Sequence, residues 1–123
     1  MSDDAPRPVG PYTPVVRAGD WLICSGQVHM KDGKLLDGSI AELTRQCVLN
    51  VKAQLESQGS GLHHVVKTTV FLTDMGDYAG MNEAYVDGFG DHRPARSAVA
   101  VKDLPLGARI EIEAWAYVAP QRD

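Results

Sequence analysis

A chain of 123 residues, 44% hydrophobic and 23% charged, has the size and mix of one ordinary globular domain. Its net charge of −4, with no basic run, argues against nucleic acid as a main partner, because phosphate binding needs a positive footprint. No apolar run approaches the ~18 residues of a membrane span, and Met1-Ser2-Asp3-Asp4 opens without an apolar leader core, so the expected compartment is the cytoplasm, with Cys24 and Cys47 reduced.

Residues 1–8 read as a loose arm, 9–118 as a single domain and 119–123 as a tail. Pro11 and Pro14 hold the backbone extended around Tyr12. Val15-Val16-Arg17 is a short strand, and Ala18-Gly19-Asp20 a hairpin turn. Trp21 to Val28 is the return strand, apolar nearly throughout until Ser25, which suggests burial on both faces. Ser25-Gly26 within it marks a bulge or a close approach of another group. Lys31-Asp32-Gly33-Lys34 is a turn. Ser39 and Glu42 have capping-box spacing, and Ile40, Leu43, Cys47, Val48, Val51 and Leu55 then recur at helical period. That helix ends near Ser57, with Gly59 and Gly61 expected as left-handed stops.

His64 to Leu72 is β-branched and reads as a central strand. Thr73 to Asp77 turns into a second helix with a stripe of Tyr78, Met81, Tyr85 and Phe89, taken as core, and Asn82 beside it. Gly80 and Gly88 weaken this helix by about 1 kcal/mol each relative to alanine, so it needs tertiary support. From His92 to Tyr117 the pattern is two strands around a Pro/Gly loop. On the last strand Ile110, Ile112, Ala114 and Ala116 share one face and Glu111, Glu113, Trp115 and Tyr117 the other. Strand–helix–strand implies a parallel pair and the terminal hairpins antiparallel ones. The expected fold is therefore α+β, a mixed sheet with both helices on one face. The other face carries polar and aromatic side chains, and burial between identical subunits would cover it.

If the loop at 102–108 closes an antiparallel pair, Arg96 lies across from Glu113 and diagonal to Glu111. A guanidinium there could grip a substrate carboxylate beside a proton-handling acid. A cross-strand salt bridge worth under ~1 kcal/mol is the simpler account from these residues alone. Tyr12 and Ser25 by themselves fit turn and bulge chemistry. His29, His63, His64 and His92 lack metal-site spacing and read as surface or loop residues, so no metal is expected. Cys24 and Cys47 read as small buried hydrophobes. No phosphate-binding glycine motif occurs, which disfavours nucleotide cofactors.

Pro94-Ala95-Arg96-Ser97, Leu104-Pro105 and Ile110-Glu111-Ile112-Glu113-Ala114 together resemble the RidA/YjgF family of enamine/imine deaminases. Gly10-Pro11-Tyr12, Ser25-Gly26-Gln27, Asn50-Val51-Lys52, Val66 to Phe71 and Asn82-Glu83-Ala84-Tyr85 extend the resemblance in order over residues 9–118. The resemblance implies a chorismate-mutase-like homotrimer with clefts between subunits and no cofactor. It implies that Arg96 binds the substrate carboxylate, that Glu111 activates the hydrolytic water, and that Tyr12, Ser25 and Asn82 line the cleft. The role of Glu113 is left open. The implied reaction takes small 2-enamino or 2-imino acids, such as 2-aminoacrylate and 2-iminobutanoate, to 2-keto acids and ammonia. A non-catalytic ligand-binding or chaperone-like trimer is the alternative, and RNA cleavage fits the acidic charge poorly. Many deaminase-active members carry a cysteine two residues after the arginine; Ala98 stands there in this chain.

Overall fold

The computed structural model describes residues 5–118; the expected tail at 119–123 and the first four residues of the arm lie outside the described residues. In chain order the elements are β1 (Val15–Ala18), β2 (Trp21–Val28), β3 (Met30–Lys31), β4 (Lys34–Leu35), α1 (Ile40–Glu56), β5 (Val65–Leu72), α2 (Tyr78–Phe89), β6 (Ala95–Ala100) and β7 (Ile110–Tyr117). The main sheet runs β1-β2-β7-β5-β6, antiparallel except for β5 with β6, and β3–β4 form a separate small hairpin. That hairpin turns through Asp32 and Gly33, both at positive φ, as a tight two-residue turn of this kind requires.

One face of the sheet meets both helices. Ile110, Ile112, Ala114 and Ala116 of β7 are fully buried there with Leu22, Val65, Val70 and Leu72, against Leu43, Cys47, Val51 and Leu55 of α1 and Met81 of α2. The capping box forms: Glu42 N donates to Ser39 Oγ at 3.2 Å, and Ser39 N to Glu42 Oε1 at 3.1 Å. The two glycines of α2 have a packing reason. A Cβ on Gly80 would stand 2.7 Å from Ile40 Cγ2, and one on Gly88 2.8 Å from Val48 Cγ1, so their absence lets the helices close on each other.

Several sequence expectations change. β6 and β7 do not pair. β6 lies parallel to β5 at the sheet edge, and β7 is inserted between β2 and β5. The intervening loop passes over the end of β5, where Val101 N donates to the Leu72 carbonyl and Thr73 N to the Arg109 carbonyl. A loop of this length spans two inter-strand spacings of ~4.8 Å without strain, so composition could not tell a hairpin from this crossing. β7 takes the interior place because its Ile/Ala face is wholly apolar, whereas β6 is mostly exposed. β2 alternates instead of being buried on both faces: Leu22 is fully buried and Trp21 42% exposed. Gly59 is left-handed at φ 81°, but Gly61 is extended at φ −174°.

His29 is not a surface residue. It is buried, with Nδ1 2.9 Å from the Leu36 carbonyl and Nε2 accepting from Arg109 N at 3.0 Å. Those partners require the neutral tautomer with the proton on Nδ1, and burial lowers its pKa in the same sense. Part of the arm is also held, since Gln54 Nε2 donates to the Pro6 carbonyl at 2.8 Å.

Candidate functional site

The five residues singled out from the sequence fall into two groups within one chain. Tyr12, Ser25 and Glu111 gather at the bulge of β2. The register slips between Cys24 and Gln27, so Ser25-Gly26 oppose β7 without regular pairing. Ser25 Oγ donates to the Thr13 carbonyl at 2.7 Å, and Ser25 N to the Pro14 carbonyl at 2.8 Å, which docks the 10–14 turn onto the bulge. Tyr12 is 41% exposed, its hydroxyl accepting from Val9 N at 3.2 Å. Tyr12 and Gly26 line the same small cleft.

The Glu111 side chain lies directly over Gly26. A Cβ on that glycine would stand 1.7 Å from Glu111 Oε2. The backbone of Gly26 is not among the positive-φ residues, so side-chain room and not conformational freedom is what requires glycine here. Burial raises the pKa of Glu111 from its ordinary value of 4.5, and Glu113 on the same face raises it further. That is the environment of a carboxyl able to both take and return a proton.

Arg96 and Asn82 form the second group, on β6 and α2. Arg96 pairs in register with Thr68, whose side chain is buried under α2, so the guanidinium lies on the helix face. Glu111 pairs with Phe71, which belongs to the opposite face. Two strand spacings across and three residues along separate the two backbones by roughly 14 Å. The expected neighbourhood of Arg96 and the carboxylates is thus absent from a single chain, because it rested on the hairpin that does not form.

The simple salt-bridge reading fails for the same reason. Among the described residues the ion pair present is Arg109–Asp77 at 3.2 Å, and Arg96 has no carboxylate partner. It is held by uncharged groups. Nη2 donates to the Tyr78 hydroxyl at 3.1 Å, Nη1 lies 3.7 Å from Met81 Sδ, and Cζ stands 4.9 Å from the Tyr85 ring centroid. The Tyr85 hydroxyl is 2.7 Å from Thr68 Oγ1, which fixes the ring beneath the cation. Asn82, one residue beyond Met81, has a buried Oδ1 without a hydrogen-bond partner among the described residues. A buried orphan acceptor of this kind costs about 1–3 kcal/mol unless something pairs with it.

Sequence reading missed Gly26 as the seat of Glu111, although its place in an apolar strand had marked a close approach. It also took Tyr78 as core, whereas the residue is 40% exposed and binds Arg96. A separate cleft of about 760 Å³ lies between residues 5–9, the β3–β4 hairpin and α1, and none of the five residues lines it. Among the described residues no group of three or more His, Cys, Asp or Glu side chains is arranged to hold a metal ion.

A family model described as Endoribonuclease L-PSP matches residues 2–118. The chain belongs to the RidA/YjgF family. A RutC family protein of Pyrococcus horikoshii is 47% identical over 119 residues, 95% of this chain and 94% of the relative. A 2-iminobutanoate/2-iminopropanoate deaminase of Mus musculus is 40% identical over 118 residues, 94% of this chain and 87% of the relative. The crystal structure of RidA from an Antarctic Psychrobacter matches with TM-score 0.90 at 38% identity, over 96% of this chain and 97% of that one. The α+β fold expected for a RidA/YjgF chain is therefore the one observed. Names within the family span ribonuclease, RutC and deaminase, so membership alone does not choose a reaction.

Proposed function

We propose that this chain is a hydrolytic deaminase of reactive 2-enamino and 2-imino acids, releasing 2-keto acids and ammonia. The observation that carries the reading is the guanidinium of Arg96, held in a defined posture yet lacking a carboxylate partner among the described residues. A small substrate acid supplies that partner, and bidentate pairing fixes its orientation. The enamine reaches its imine tautomer, whose carbon is electrophilic without help from a cofactor. Glu111 takes a proton from water as the oxygen attacks that carbon, giving a carbinolamine. It returns that proton to nitrogen, then carries the carbinolamine's hydroxyl proton to the amine as the C–N bond breaks, so ammonia leaves and the carbonyl remains. The raised pKa of Glu111 suits both halves of this shuttle. Tyr12, Ser25 and Asn82 complete the lining, and the free Oδ1 of Asn82 is available to a substrate N–H.

Assembly is part of the proposal. Arg96 sits at one edge of the sheet and Glu111 under the β2 bulge on the other face, so a complete site needs two copies. A head-to-tail contact between the β6 side of one chain and the β1–β2 side of the next closes into a ring, and we propose a homotrimer. The face opposite the helices gives such a ring its apolar interior, since Val16, Val99 and Trp115 are exposed there in the single chain. Light scattering should then return three times the 13.3 kDa chain mass. Small 2-imino or 2-keto acids are the proposed ligands and the cytoplasm the proposed compartment.

The second reading, a non-catalytic carboxylate-binding or chaperone-like trimer, is favoured by one feature: the Arg96 half-site is complete within one chain and does not contain Glu111. Ammonia release from a freshly generated imino acid separates the two. Acceleration by the parent protein, lost in Arg96→Ala, supports the deaminase, and undiminished activity in Arg96→Ala rejects it.

A further inference from the structure

We propose that Tyr78 is a second carboxylate-binding residue, a phenol that accepts from Arg96 and donates its own proton to the same ligand. The inference rests on the reading of Arg96 as the carboxylate anchor and extends it. Arg96 Nη2 donates to the Tyr78 hydroxyl at 3.1 Å. A guanidinium has no acceptor to offer in return, so the phenolic proton is directed elsewhere. Among the described residues it has no acceptor. Tyr78 stands at the start of α2 and the residue is 40% exposed, which leaves the unspent O–H open to a ligand. Accepting from a cation polarises that O–H and makes it a stronger donor.

Geometry ties this donor to Arg96 and not to a general surface. The guanidinium carbon is 5.6 Å from the Tyr78 ring centroid and 4.9 Å from that of Tyr85, while Nη1 faces Met81 Sδ. Cation and phenol therefore present themselves as one fixed pair with the remaining guanidinium N–H groups free. A carboxylate has enough lone pairs to take N–H donors on one side and the phenol on the other. A neutral amide or ester group lacks the charge that makes both bonds strong. The pair therefore selects ligands bearing an ionised carboxylate, and Tyr78 contributes to that selectivity beyond what Arg96 supplies.

Tyr78→Phe removes only the hydroxyl and keeps the ring. Binding of 2-oxobutanoate and of its neutral counterpart 2-oxobutanamide would be measured by NMR titration on the full-length parent and variant, with thermal melting as a folding check. A bond to a charged acceptor is lost, so affinity for 2-oxobutanoate should fall about tenfold while that for the amide changes less than twofold. Equal affinity of parent and variant for 2-oxobutanoate, equal losses for both ligands, or no binding of 2-oxobutanoate by the parent overturns the inference. Turnover of 2-iminobutanoate on the same samples keeps the two claims apart. A parent that binds the keto acid through Tyr78 but does not hydrolyse the imine leaves Tyr78 standing and removes the deaminase. A parent that hydrolyses, with variant binding unchanged, does the reverse.

Discussion

Gly26→Ala tests the placement of Glu111 without touching an ionisable group. The backbone at Gly26 is one that alanine adopts, so the perturbation is a single methyl group under the carboxylate. That methyl would stand 1.7 Å from Oε2, 2.6 Å from Cδ and 2.9 Å from Cγ of Glu111. The carboxylate has to withdraw by roughly 1.7 Å before the contact becomes ordinary. Its outer atoms can rotate away, which keeps the stability cost near the lower end of the ~1–3 kcal/mol seen for overpacking. Catalysis is far less forgiving, because a 1 Å misplacement of a reacting group can cost ~100-fold. The expected result is a folded protein with a modestly lowered Tm and a loss of about 100-fold in kcat for imino acid hydrolysis. Binding of the keto acid through Arg96 should persist. Steady-state ammonia release, melting and keto-acid titration on one preparation measure all three. A folded Gly26→Ala protein with kcat within twofold of the parent would refute the seat of Glu111 over Gly26 as a catalytic arrangement.

Glu111→Gln should abolish hydrolysis by a factor of ~100 or more, as expected for a lost acid/base group. Stability should move the other way. A carboxyl whose folded pKa is raised carries no penalty below its unfolded value of 4.5, then weighs against folding as pH rises through the folded value. The glutamine variant should therefore match the parent in denaturant melts at low pH and equal or exceed it at neutral pH; a variant clearly less stable at pH 7 would contradict this. Neither thiol should react in the native state. Burial, with some contribution from Glu113, pushes Cys24 up to about 12, and burial likewise raises the fully buried Cys47 well above its ordinary value, so a maleimide should label both only after unfolding. Ser39→Ala should lower stability by roughly 0.5–2 kcal/mol through loss of the α1 cap while leaving kcat unchanged, and a cost outside that range in chemical denaturation would argue against the capping box.

Local rules read much of this molecule correctly because the forces involved are local. The cap on α1 depends on two side chains three residues apart. The buried face of β7 follows from alternation, and the bulge at Ser25-Gly26 from one glycine in an apolar strand. Glycines 80 and 88 signalled a helix in need of support, and Ile40 and Val48 of α1 are what they pack against. Errors arose where a local pattern has two solutions in space. A loop between β6 and β7 fits a hairpin as readily as a crossing over β5. His29 lies in the link between β2 and β3, and only the fold brings the Leu36 carbonyl and Arg109 N–H to its two nitrogens.

The candidate site divides along the same line. The sequence alone singled out an arginine in β6 and an acid in β7 as candidates for chemistry, because motif and alternation are written along the chain. Tertiary structure decided their company. Strand order puts Arg96 on the helix face with Tyr78 and Tyr85, and Glu111 over Gly26 on the other. The physical reason is that pairing partners in a sheet are chosen by competition among all strands for buried apolar neighbours. No strand contains that information by itself.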